Sequence, residues 1–198
     1  MTTVATRTWP KHLETGLNDE SDRELVKRAK GGDTDAFSVL VQRHQHRVYT
    51  LAYRYMRDAM LAEDMAQEAF LKGFRLLKGF RGDCSFSTWM YRVTSSVCLT
   101  EIARRKKRGE VQFDVHHGGT QEDGKLEARD TAEIIRRCVT QLPERYATII
   151  TMYYLKETPY DEIAAAMKIP IGTLKTWMFR ARKELRAIVE RELAKNGN

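Results

Sequence analysis

Cysteine is scarce in this chain of 198 residues, and what there is does not pair: Cys84, Cys98 and Cys138 are odd in number, far apart and without a CxxC. Neither a disulfide framework nor a zinc knuckle is indicated, and packed, reduced thiols of a cytoplasmic protein are expected. Long apolar runs are missing too. No stretch approaches the ~20 residues of a membrane helix, and the opening residues, with Thr, Lys, Asp and Glu, do not form a signal peptide. A soluble chain without membrane insertion follows. There is no Gly-rich phosphate loop, no HExxH and no nucleophile motif, so no enzyme and no cofactor are expected. His44 and His46 fall on nearly opposite faces of one helix and cannot share a metal. Internal repeats and strand patterns are absent as well.

What the chain has is positive charge and helical periodicity. A net charge of +7 and a pI near 9.4 favour a polyanionic partner. The most informative stretch runs from Thr158 to Lys183. Tyr160, Ile163, Ala164 and Met167 are spaced as one helix face, with Thr158 placed to cap it and Asp161 three residues on. Pro170 interrupts the pattern. The period restarts at Leu174, Trp177, Met178, Ala181, Leu185 and Ile188. Two short helices joined by a tight turn make a helix-turn-helix. The second turns Lys175, Thr176, Phe179, Arg180, Arg182 and Lys183 away from the apolar stripe. Between Lys168 and Lys183 stand five Lys or Arg and no acid. Such a face suits the major groove, and equally an ordinary solvated hairpin.

Along the rest of the chain, residues 1–18 read as a flexible leader. A short helix with Leu25, Val26 and Ala29 inward stops at Gly31-Gly32, and Asp33 caps the next. That helix carries the stripe Phe37, Leu40, Val41, His44, Val48, Leu51, Ala52 and Tyr55, on which His44 reads as a packed histidine. A third helix, about 59–77, buries Ala66, Phe70, Phe74 and Leu77. Its outer face shows Asp64, Gln67, Glu68 and Leu71, with Asp58 and Glu63 nearby. This acidic face fits a basic protein surface, or simply complements the helix dipole. A fourth helix from about Ser85 to Lys107 opens on Phe86, Trp89, Tyr91 and Arg92 and closes on Arg104, Arg105, Lys106 and Lys107. Rings interleaved with cations suit unpaired bases and their phosphates, or else a core. Residues 109–131 read as a linker with His116 and His117 solvated. Beyond it, Ile135, Cys138, Val139 and Leu142 share one helix face, and Pro143 opens another with Tyr146, Ile149, Ile150 and Tyr153. The expected fold is all-α: two small helical domains, 19–108 and 132–195, joined by a flexible linker, the second a helix-turn-helix.

These features, in this order, resemble bacterial RNA polymerase sigma factors of the extracytoplasmic-function (ECF) group. The resemblance is carried by DAMLAEDMAQEAFLKGFR (58–75), FRGDCSFSTWMYRV (80–93), LPERYATIITMYYL (142–155) and YDEIAAAMKIPIGTLKTWMFRARKEL (160–185). It implies an initiation factor that binds core RNA polymerase, directs it to promoter DNA and helps open the strands. By position, Asp64, Gln67, Glu68 and Leu71 are implied to meet the polymerase clamp. Phe86, Trp89, Tyr91, Arg92, Ser96, Arg104 and Arg105 are implied to serve the −10 element and strand opening. Thr173, Lys175, Thr176, Phe179, Arg180 and Lys183 are implied to read the −35 element. An anti-sigma protein is a further implied partner.

The chain departs from the family at Ser96 and Thr100, where Asn and Asp or Asn are usual. A hydroxyl offers a less selective base contact than an amide. Trp177 replaces a common Arg, and Lys168 the usual turn Gly. The 23 residues of 109–131 span at most about 75 Å, at ~3.3 Å each, and as a coil average only about 26 Å. One turn of B-DNA is about 34 Å. A scaffold that stretches the tether, such as polymerase, would therefore be needed to engage both promoter elements. The alternative is a self-sufficient helix-turn-helix regulator with an N-terminal sensing or dimerisation domain.

Overall fold

The computed structural model describes residues 20–109 and 134–196; the expected leader, nearly all of the linker and the His116-His117 pair lie outside them. The described residues form helices without a strand. Helix α1 spans Asp22–Lys30, α2 Thr34–Met56, α3 Ala59–Leu76, followed by a 3-10 turn Leu77–Gly79, and α4 Phe86–Lys107. In the second half, α5 covers 134–141, α6 Glu144–Lys156, α7 Tyr160–Met167 and α8 Ile171–Asn196. The expectation of an all-helical chain in two regions holds.

Local chemistry sets most helix starts. Ser21 and Glu24 form a reciprocal capping box on α1, Asp33 accepts from the amides of Asp35 and Ala36, Asp58 caps α3 and Ser85 caps α4. Each side-chain oxygen satisfies an amide that the first turn leaves without a partner. Thr158 does not cap α7. Its amide instead bonds Met152 O at 3.1 Å, closing α6, and its hydroxyl is buried without a partner; α7 starts behind Pro159. The α7–α8 turn is a Schellman motif, with Lys168 N bonding Ala165 O and Ile169 N bonding Ala164 O. Lys168 occupies its left-handed position at φ 56°.

Two cores result. The first joins α1, α2, α3 and the start of α4 around Leu25, Leu40, Phe70, Phe86, Trp89 and Met90. At Gly73 the α3 backbone comes so close to α4 that an added Cβ would lie 3.0 Å from Met90 Sδ. The second core is built by α5 to α8 around Ile149, Met152, Ile163, Leu174 and Met178. It also takes in Leu51, Ala52 and Tyr55 of α2 and Cys98 and Leu99 of α4. The two halves thus share apolar surface. Two stripe assignments fail: Phe74 and Ile135 are 43% and 46% exposed. Both sit at the margin of a stripe and are only partly covered, Phe74 by Phe37 of α2.

Candidate nucleic-acid interface

On α3, Asp64 and Gln67 are exposed and Leu71 is 55% exposed. Glu68 is half-buried and reaches Arg75 only at 3.7 Å. Phe74 lies three residues beyond Leu71 and extends the same face, its ring resting on Phe37 with centroids 4.9 Å apart. The face is therefore acidic at one end and apolar at the other, a pattern suited to a protein surface rather than to DNA.

On α8 the stripe Leu174, Met178, Ala181 and Ile188 is buried. It holds the opposite face outward: Lys175, Thr176, Phe179, Arg180 and Lys183 are exposed, Phe179 by 70%, and Thr173 is partly covered. Among the described residues, Lys175, Arg180 and Lys183 show no ion pair. Trp177 packs inward, its ring edge-on to Tyr146 at 6.4 Å and under the Arg145 guanidinium at 5.4 Å. Arg182 departs from the expected outer face. It turns back to Tyr160 Oη at 3.3 Å and over the rings of Tyr153 and Tyr154.

On α4 the residues divide. Phe86 and Trp89 are 4% and 2% exposed, packed with Phe80 at centroid distances of 6.4 and 4.9 Å. Neither ring can stack on a base in this arrangement: the α4 start lies over α2 and the 3-10 turn, and burying large rings outweighs leaving them exposed. Tyr91 and Arg92 are half-buried. Burial pushes the Tyr91 phenol upward, against the fields of Arg54 and Arg47. Burial lowers the Arg92 guanidinium, against Cys84 and Glu144, and Arg92 Nε has no hydrogen-bond partner. Ser96 Oγ accepts from Lys72 Nζ at 3.1 Å, and Thr100 is turned onto its own helix, bonding Ser96 O at 2.7 Å. Arg104 pairs with Glu101 at 2.8 Å, and Arg105 is half-buried.

The second half walls this face of α4. Arg92 and Ser96 line a cleft of about 400 Å³ whose far side is Pro143, Glu144, Arg145, Thr148 and Met167. Thr88 is the polar hub of the closure. Its hydroxyl donates to Glu162 Oε2 at 2.7 Å, accepts from Lys156 Nζ at 2.5 Å and takes a third bond from Ser85 Oγ. Tyr55 Oη donates to Thr151 Oγ1 at 2.9 Å, Arg136 to Tyr55 O at 3.0 Å and Lys168 Nζ to Gly79 O at 3.1 Å. Thr88 and Glu162 lie within the stretches that carry the family resemblance, but neither they nor Lys156 stand out there as site residues. Nothing in their local pattern reveals partners 68 and 74 positions away.

Residues 40–108 match Sigma-70 region 2 and residues 132–185 match Sigma-70, region 4. The chain is 34% identical over 181 residues to the RNA polymerase sigma-H factor of Pseudomonas aeruginosa, covering 85% of this chain and 94% of that one. This chain belongs to the sigma-70 family, in the ECF group. Among its relatives, the ECF sigma-E factor of Escherichia coli K12 is 35% identical over 177 residues, 83% of this chain and 92% of its own. SigW of Bacillus subtilis is 32% identical over 178 residues, 83% and 94%. A chain of the solved structure of CnrH in complex with the cytosolic domain of CnrY superposes with a TM-score of 0.55 at 20% identity, over 87% of this sigma factor and 99% of that chain, a likeness of fold. As a sigma factor the chain is a transcription initiation factor. No helix among its described residues is long and apolar enough to cross a membrane.

Proposed function

We propose that this ECF sigma factor works in the cytoplasm, without catalysing a reaction itself, by dividing labour between its two regions. Residues 19–108 attach to core RNA polymerase through Asp64, Gln67, Glu68 and Leu71 of α3. Through α4 they engage the −10 element: Tyr91, Arg92 and Ser96, with Arg104 and Arg105 on the backbone, and Phe86 and Trp89 supporting that surface from beneath. Residues 132–195 read the −35 element with Thr173, Lys175, Thr176, Phe179, Arg180 and Lys183. The observation that carries the reading is the pair of exposed faces of opposite charge, acidic-apolar on α3 and cationic around Phe179 on α8, in a closed arrangement whose second half walls one side of α4. In that arrangement Arg92 and Ser96 lie half-buried in a cleft walled by the second half, so full engagement of the −10 element requires the halves to part. Polymerase, by stretching the linker, is the agent that parts them. An anti-sigma protein that holds the halves together belongs to the same reading, supported by the family resemblance.

The test is run-off transcription and pull-down with purified core polymerase. Arg180→Ala weakens use of a −35-dependent promoter and leaves polymerase capture intact, whereas Asp64→Lys abolishes capture and leaves duplex −35 binding intact. Both defects in both variants would show that the faces are misassigned.

A further inference from the structure

On the side of α4 away from Arg92 and Ser96, a second cleft of about 370 Å³ opens between α2, α4 and α6. Its walls carry His46, Arg47, Thr50 and Arg54 from α2, Tyr91 from α4, and Lys156 from α6, and no acidic side chain lines it. Arg47 and Arg54 are two turns apart on one face of α2 and exposed, and among the described residues neither shows an ion pair or hydrogen bond. Their charges converge on the Tyr91 phenol, where both act against the effect of burial. Lys156 Nζ stands 5.2 Å from the centroid of the Tyr91 ring. Burial, the largest influence, lowers the Lys156 ammonium; Glu162 and Cys84 oppose this, and Arg47 adds to it. Three formal positive charges thus face one concave space, two of them uncompensated.

Like charges gathered without a counter-charge repel one another, and guanidinium pairs suit the bidentate geometry of phosphate. The volume lies within the range of small-ligand sites. Leu155 and Lys156 close the α6 side of the cleft, and its volume matches a compact ligand of a few phosphate groups. We propose that this cleft binds a small polyphosphate, the di- or triphosphate group of a free phosphorylated metabolite, which bridges α2 to α6 and so stabilises the closed form of the chain. Because Lys156 belongs to the half that moves away on opening, the ligand favours closure by its differential affinity for the two forms. The site lies outside the faces assigned to polymerase and to the −35 element and shares only Tyr91 with the −10 surface; its binding test needs neither polymerase nor promoter DNA.

Inorganic pyrophosphate and tripolyphosphate are titrated into the full chain at fixed ionic strength, with calorimetry as readout and hydrogen exchange of α6 as the measure of closure. The expected result is saturable 1:1 binding and slower exchange in α6. Affinity falls at least tenfold in Lys156→Gln and in Arg47→Gln/Arg54→Gln, and is unchanged in Lys78→Gln, a distant exposed cation. The arginines are exposed, so their variants fold, as circular dichroism verifies. Absence of saturation, or an equal loss in Lys78→Gln, overturns the site. Displacement of pyrophosphate by a short single-stranded oligonucleotide that binds more tightly overturns the small-ligand assignment in favour of a nucleic-acid backbone.

Discussion

Thr88→Val isolates the polar part of what holds the two halves together at α4. Valine keeps the shape of a side chain that is 1% exposed but removes the hydroxyl that joins Lys156 to Glu162. A hydrogen bond to a charged group contributes about 1.5–3 kcal/mol, so two at the lower end amount to about 3 kcal/mol. Lys156 and Glu162 are half-buried and regain part of this from water once released, leaving about 2 kcal/mol. At 1.4 kcal/mol per factor of ten, the closed form loses about 30-fold in population relative to the open one. Fluorescence transfer between dyes on α1 and on the exposed end of α8 reports the change as an increased separation. If core polymerase binds only the open form, its apparent affinity rises as the open fraction rises. The control is Thr88→Ser, which keeps the hydroxyl and stays closed. Unchanged transfer in Thr88→Val, or equal opening in the serine variant, would refute the argument: the first by showing the hub to be idle, the second by shifting the effect to the methyl group.

Three further outcomes follow from the geometry. Gly73→Ala forces a methyl against Met90 Sδ at 3.0 Å and lowers stability by about 1–3 kcal/mol, read as a lower denaturant midpoint. Lys168→Gly relieves a left-handed residue at φ 56° and raises the thermal midpoint by an equivalent of about 1 kcal/mol, provided that the bond from Lys168 Nζ to Gly79 O, an exposed one, contributes little. Asp22 holds Arg43 at 3.0 Å and His44 Nε2 at 2.7 Å. Burial acts to raise its carboxyl value, but the hydrogen bonds and charges of Arg43 and His44 outweigh this, and the value falls below the ordinary 3.8. Its contribution is therefore complete above the unfolded value and is lost as pH falls through the depressed native value. Asp22→Asn flattens that acid limb in urea melts from pH 5 to pH 2 and costs about 1 kcal/mol at neutral pH.

Periodicity made the faces legible. The α2 stripe from Phe37 to Tyr55, the Asp33 cap and the inward set Leu174, Met178, Ala181 and Ile188 can all be read from spacing, because 3.6 residues per turn fixes which side chains lie together. It does not say which neighbour covers a face. Phe74 continues a stripe yet stands exposed, and Trp89 has the company of cations yet lies in the core, since both outcomes depend on where another helix sits. Thr158 has the residue type of a cap, but the preceding helix claims its amide first. The exposed cations of α8 and acids of α3 are visible in the sequence as charge with no apolar spacing. The Thr88 hub and the Arg47–Arg54–Lys156 cleft are not, because each needs residues brought together from distant parts of the chain.

The second core draws Leu51, Ala52, Tyr55, Cys98 and Leu99 from helices that leave the ribosome well before their cover, α5 to α8, is synthesised. During translation those side chains wait bare, and a fragment ending near residue 108 keeps them bare permanently. Such a fragment is expected to be sticky in isolation. In the cell, any partner that pries the mature chain apart must bring a greasy surface of its own to replace the one it removes.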